Sequence, residues 1–131
     1  MPPTPDLLFV YGTLRPGLAR GLPRTLTSDL EVVGTATVSG TLHDLGAYPG
    51  LVPGPGRVSG DLLRITDDER LAAIDAYEEC GGTTALFRRE RVEATLADGT
   101  RRDAWAYIYN RPAGRALVIP AGDYAGHRRG R

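Results

Sequence analysis

No lysine occurs in this chain of 131 residues, and all 16 basic side chains are arginine. A Schiff-base mechanism, which needs a lysine amine, is therefore excluded. Cysteine occurs once, as Cys80, so no disulfide can form within the chain. Long apolar runs are missing too: Leu7-Leu8-Phe9-Val10 is too short for a signal-peptide core or a membrane span. Nor is there an excess of charge of either sign. The 16 acidic residues balance the 16 basic ones, so no overall field favours nucleic acid or anionic lipid. His43 and His127 lack partners at metal-ligand spacing, which gives no basis for a metal site. These absences lead us to expect a cytoplasmic protein without nucleic-acid or membrane partners.

What is present suits one domain spanning 1–131, large enough to bury a core without disulfide or metal staples. Residues 1–5 read as a loose proline-rich leader and 126–131 as a short basic tail. Residues 7–11 form an apolar, aromatic run that stops at Gly12, the pattern of a buried strand. The stretch 12–23, broken by glycine and proline, reads as a loop with at most one helical turn. Val32, Val33, Val38 and Leu42 suggest two strands or one bent strand over 30–44. Residues 46–50 and 53–56, rich in glycine and proline, read as loop. Alternation over 57–65 suggests a further strand.

One helix is well marked. Thr66-Asp67-Asp68-Glu69 has the form of a capping box, Leu71 and Ile74 give an apolar stripe, and Gly81-Gly82 supplies a stop. A hairpin follows, with strands over 87–96 and 101–109 around Ala97-Asp98-Gly99-Thr100. On its second strand Trp105, Tyr107 and Tyr109 share one face, and Ala104, Ala106 and Ile108 the other. Short strands around a single good helix predict an α+β domain, a curled, barrel-like mixed sheet packed on that helix.

Two features carry chemistry. On a helical wheel Glu78 lies between the directions of Leu71 and Ile74, near the centre of the buried stripe, whereas Glu79 points about a quarter-turn away. A carboxyl aimed at a core has a raised pKa, as a general base working near neutrality requires. A helix fraying before Glu78 would instead turn that side chain to water. The second feature is Tyr11-Gly12-Thr13-Leu14-Arg15-Pro16-Gly17 at the exit of the first strand. Glycine there lets main-chain amides approach a carboxylate or an oxyanion, although such exits are also ordinary turns. The spacing fits neither a P-loop nor a dinucleotide fingerprint. Tyr107, on the aromatic stripe, ranks below these as a ligand contact, and Cys80 reads as a bystander at a helix end.

Several segments together resemble the γ-glutamylcyclotransferase-like superfamily, including its AIG2-like branch. They are Phe9-Val10-Tyr11-Gly12-Thr13-Leu14, Gly40-Thr41-Leu42-His43-Asp44-Leu45-Gly46, Tyr48-Pro49-Gly50, and Val58-Ser59-Gly60-Asp61-Leu62. Ile74-Asp75-Ala76-Tyr77-Glu78, the 88–92 strand, Ala104-Trp105-Ala106-Tyr107-Ile108-Tyr109-Asn110 and Gly122-Asp123-Tyr124 complete the set. The resemblance covers nearly the whole chain and implies that family's barrel-like fold. It implies that Tyr11, Gly12, Thr13 and Leu14 cradle a glutamyl group and that Glu78 is the acid–base residue. The implied reaction closes a γ-glutamyl group to 5-oxoproline and releases an amine, without cofactor, metal or covalent enzyme intermediate. The implied partner is a small γ-glutamyl molecule. The alternative is a non-catalytic AIG2-like module that binds a small carboxylate. Two positions depart from the family pattern: Glu79-Cys80 where glycine is common after the glutamate, and Phe87 where tyrosine is common. Both are expected on the substrate side. The leaving amine and the oligomeric state are left open.

Overall fold

In the computed structural model, residues 5–12, 22–45, 49–65, 67–78, 86–110, 117–119 and 122–124 are described. Strand β1 (Leu7–Val10) is followed by helix α1 (Leu22–Thr27), then by two long strands, β2 (Val32–Asp44) and β3 (Pro49–Arg64). Helix α2 (Asp68–Tyr77), the hairpin of β4 (Phe87–Leu96) and β5 (Arg101–Tyr109), and the short β6 (Leu117–Val118) complete the order.

The pairings close on themselves. β1 lies antiparallel to β3, β3 to β2, β2 to β4 and β4 to β5, and β5 returns to β1 as a parallel neighbour through Leu8 and Trp105. The result is a five-strand closed mixed barrel of the α+β class, with β6 added on the far end of β2. Closure removes sheet edges and gives each strand an inner and an outer face.

That division explains the continuous apolar run of β1. Leu7, Phe9 and Tyr11 point into the barrel, where they meet Val38, Leu62, Ala104, Ala106 and Ile108. Leu8 and Val10 point outward, into a second core with Leu63, Ile74, Phe87 and Tyr107 beneath α2. A strand buried on both faces shows no alternation. β5 divides as its sequence predicts, with Ala104, Ala106 and Ile108 inside and Trp105, Tyr107 and Tyr109 on the helix side.

Of the two alternatives for 30–44 the structure has the single bent strand, Val32–Asp44, with irregular pairing between Val32 and Gly34 and between Ser39 and Thr41. Two expectations need correction. Residues 49–50 and 53–56 are not loop but lie inside β3. Pairing with β2 runs from Val52 directly to Arg57, and the bulged chain between is tied by the Thr41 hydroxyl, which donates to the Pro55 carbonyl at 2.7 Å. The cap of α2 is Asp67, whose carboxylate accepts from the Glu69 amide at 2.9 Å. A charged acceptor at the positive helix end is the stronger cap, and Thr66 lies outside the described residues. α1 was at most hinted at. It is pinned to α2 by Arg70, which donates to the Leu26 carbonyl and to both Asp29 oxygens.

β1 and β3 approach closely at Gly60, where a Cβ would sit 2.3 Å from the Val10 carbonyl oxygen and 2.8 Å from the Phe9 ring. Gly60→Ala must therefore part β1 from β3, at a cost of about 3 kcal/mol. Gly99, in the hairpin turn at φ 88°, has open space around it, and Gly99→Ala should cost only about 1 kcal/mol, from its backbone. Equilibrium urea unfolding of the two variants checks the order; equal losses would overturn this account of β1–β3 packing.

Candidate functional site

Ile74, fully buried, anchors α2 on the outer wall of the barrel, with Leu71 and Tyr77 packed beside it. Burying such a side chain contributes about 2 kcal/mol and fixes the helix rotation. Glu78 follows as the C-cap at φ −82° and ψ 2°, and its amide donates to the Ile74 carbonyl at 2.9 Å. The last turn does not fray before Glu78, so its side chain keeps the direction that the wheel assigns.

The electrostatic consequence is large. Desolvation raises the Glu78 carboxyl from its ordinary 4.5 to about 7. The C-terminal end of a helix carries negative partial charge, and the last turn of α2 holds no basic residue to offset it. The Glu78 charge acts on two phenols. Burial, and then the Glu78 charge, push Tyr11 well above the ordinary phenol range. Tyr107 is raised by burial first, then by its bond to Asp75 and the charges of Asp75 and Glu78.

Tyr11 is fully engaged. Its hydroxyl donates to the Tyr107 carbonyl at 2.6 Å and accepts the Leu51 amide at 3.2 Å, tying the exit of β1 to β5 and β3. What this exit can offer a ligand is therefore main chain rather than the phenol. Gly12 comes next and lies against Pro49, where a Cβ would stand 2.8 Å from the proline Cγ. Thr13 and Leu14 lie outside the described residues, as do Glu79, Cys80, His127 and the basic tail. The described residues thus bring together Tyr11, Tyr107 and Glu78, with Gly12 at the end of β1.

Asp75 and Arg89 belong to the same place and were not selected from the sequence. Asp75 Oδ1 accepts the Tyr107 hydroxyl at 2.6 Å and Arg89 Nε at 2.9 Å. Arg89 and Tyr107 are direct cross-strand partners on β4 and β5, and the Arg89 guanidinium lies 4.4 Å from the centre of the Trp105 ring. The signal was available, because counting back from the Asp98-Gly99 turn pairs position 89 with 107. Phe87, expected on the substrate side, is instead core: it is buried and meets Tyr109 edge-on at 5.7 Å. A phenol there would need a partner for its hydroxyl. Among the described residues no cluster of His, Cys, Asp and Glu could hold a metal ion, and no helix is long and apolar enough to cross a membrane.

Comparison with known proteins bears on the family and the fold. The family model "Gamma-glutamyl cyclotransferase, AIG2-like" matches residues 8–126. Gamma-glutamylcyclotransferase family protein YtfP of Escherichia coli K12 is 35% identical over 118 residues, covering 89% of this chain and 94% of that one. The solution structure of E. coli ytfP superposes with a TM-score of 0.67 at 31% identity, covering 93% of this chain and 98% of the other. Protein PH0828 of Pyrococcus horikoshii shares the fold, with a TM-score of 0.72 at 22% identity over 95% of this chain and 93% of that one.

The raised Glu78 carboxyl couples stability to pH with a definite sign. Because its folded value of about 7 lies above the ordinary 4.5, its contribution is fully present at low pH and is lost as pH rises through 7. Glu78→Gln removes this titration. Relative to the variant, the parent protein should lose about 3 kcal/mol of stability between pH 4 and pH 8. Urea unfolding of both proteins across that range measures the gap. A constant gap would mean that Glu78 titrates like a solvated carboxylate.

Proposed function

This chain belongs to the family of AIG2-like gamma-glutamyl cyclotransferases, and from that premise we propose that it cyclises the γ-glutamyl group of a small molecule to 5-oxoproline. The α-amino nitrogen of the glutamyl group attacks the γ-carbonyl carbon, the bond from that carbon to the side amide nitrogen breaks, and a free amine departs. One proton leaves the α-ammonium before attack and a second leaves the same nitrogen once the new bond has formed, while the departing nitrogen gains one as its bond breaks and another as the free amine becomes an ammonium. A single carboxyl group can carry both protons in turn, which leaves the enzyme unchanged at the end of each cycle.

The observation that carries this reading is the Glu78 carboxyl, raised to about 7 by burial at the end of α2 and close to Tyr11 and Tyr107. At that value it is basic enough to take a proton at neutral pH and acidic enough to return it. A module that merely held a carboxylate would gain nothing from a second buried negative charge beside it. Proximity supplies the remainder of the rate, since a glutamyl chain held folded reacts within itself. In this reading main-chain amides from Gly12 onward, with Thr13 and Leu14, receive the α-carboxylate or the developing oxyanion. The amine that departs is set elsewhere along the site.

The test is to incubate the purified protein with γ-glutamyl amino acids, glutathione and γ-glutamyl-ε-lysine and to quantify 5-oxoproline by mass spectrometry. At least one should be turned over, with kcat/KM rising through pH 7 as Glu78 ionises. Glu78→Gln should lower turnover by roughly 100-fold or more while retaining 5-oxoproline binding within a few-fold. Turnover unchanged in that variant would remove Glu78 from the mechanism. Binding of 5-oxoproline without conversion of any panel member would identify the chain as a non-catalytic module.

A further inference from the structure

One carboxylate oxygen, Oδ1 of Asp75, receives two donors from two strands: the Tyr107 hydroxyl on β5 at 2.6 Å and Arg89 Nε on β4 at 2.9 Å. The two donors are directly opposite each other across the hairpin. Asp75 itself is three residues before Glu78, so the two carboxyl groups lie on neighbouring positions of one helical face. Both ends of the ion pair are about three-quarters buried, with 24% exposure on each side chain. Arg89 is further fixed by the Trp105 ring beneath it. Rigid elements therefore converge on the single turn that ends in Glu78.

We propose that Asp75 is a positioning residue for Glu78: with Arg89 it clamps the last turn of α2 to the β4–β5 hairpin, and it accepts the hydrogen bond of the Tyr107 hydroxyl, so that the lone pairs of the phenol oxygen are left to act as acceptors. The clamp has a chemical corollary that rests on the proposed cyclisation. A phenol whose only proton is given to Asp75 offers lone pairs to any third group. Glu78 and the Tyr107 oxygen then form a pair of acceptors suited to a substrate ammonium. Tyr107 does not act as an oxyanion donor, a role that falls to main-chain amides. Arg89 offsets the Asp75 charge, so the carboxyl groups of Asp75 and Glu78 can share a face without repelling each other outright.

Among the described residues, the groups coupled to the Glu78 charge are Tyr11 on β1 and Tyr107 on β5, and Tyr107 is bonded to Asp75, which pairs with Arg89 on β4. Removing one member of the ion pair leaves the other uncompensated, and the two removals act on Glu78 with opposite signs. Asp75→Asn leaves Arg89 positive, and the Glu78 titration should move to lower pH by roughly half a unit to one unit. Arg89→Met leaves Asp75 negative, and the titration should move upward by about the same amount. The double variant should return toward the parent value, because the pair is removed together.

The direct readout is the carbon-13 chemical shift of the Glu78 side-chain carboxyl followed against pH in the intact chain, assigned with Glu78→Gln. This needs no turnover, so it stands apart from the cyclotransferase assay. Shifts of opposite sign, cancelled in the double variant, bear out the clamp. A Glu78 titration unmoved in both single variants, or moved in the same direction in both, overturns it. With a substrate in hand, Tyr107→Phe keeps the ring but deletes the acceptor. It should raise KM about 10-fold, roughly the worth of one hydrogen bond to a charged group, with a smaller effect on kcat. An unchanged KM would end the acceptor role of Tyr107. Absence of 5-oxoproline with every substrate, alongside opposite titration shifts, would refute the cyclisation and leave the clamp intact.

Discussion

Keeping Glu78 out of water costs folding free energy at neutral pH, and much of the architecture around it bears on that cost. A displacement from 4.5 to about 7 corresponds to about 3 kcal/mol, a large part of what a small domain has to spare. The side chain has an obvious escape, since α2 ends at this residue and one unwound turn would expose it. The opposing forces are the burial of Ile74, the intact amide bond from Glu78 to Ile74, and the three-way contact of Asp75 with Arg89 and Tyr107. None of these groups lends Glu78 a positive charge directly. They hold its backbone in place and leave its carboxyl poorly solvated, the condition under which a carboxylic acid titrates near neutrality.

The barrel supplies the rigid wall against which this is possible. Its interior is narrow, lined by Ala36, Ala94, Ala104 and Ala106 where strands approach and filled by Phe9, Tyr11 and Tyr124. Close packing of this kind leaves few ways to yield, so the outer wall keeps its shape when a helix is pressed on it. β1 is the hinge of the arrangement: its inner residues belong to the barrel core and its outer residues to the core beneath α2. The Tyr11 hydroxyl closes the join by bonding to the main chain of both β5 and β3. The end of β1 is thereby tied to the strand that carries Tyr107, which in turn faces Glu78.

Much of this was legible in the residues because it depends on local pattern. The two strands around Asp98-Gly99 fall within the stated bounds, and the aromatic and alanine faces of β5 separate by parity alone. Glu78 was reachable because three positions on one helix fix a direction, and Ile74 is enough to orient it. The errors have a common origin in long-range pairing. Glycine and proline at 53–56 signal a break locally, but β2 holds the chain in extended form on either side, so the segment is a bulge within β3. Thr66 and Asp67 both qualify as caps, and only the backbone geometry selects Asp67. Asp75 is not singled out by a helical wheel, because a wheel shows which way a side chain points, not what waits there.

That last point bears on how a helix can present an acid at all. An isolated α2 would carry Asp75 and Glu78 as two solvated carboxylates, with the helix dipole opposing both at this end. Docking separates their fates. Asp75 meets Arg89 and the Tyr107 hydroxyl, both of which donate to its Oδ1. Glu78, three residues on, meets a desolvated surface and two phenols, so its neutral form is favoured. Two chemically similar groups on one face thus acquire different surroundings. Cyclisation of a γ-glutamyl group asks for little more than this from a protein. The reacting amine and carbonyl belong to one molecule, and what is left to the protein is the passage of protons from the attacking to the departing nitrogen. A fixed carboxyl near neutrality, held in place by an ion-paired neighbour, meets that demand.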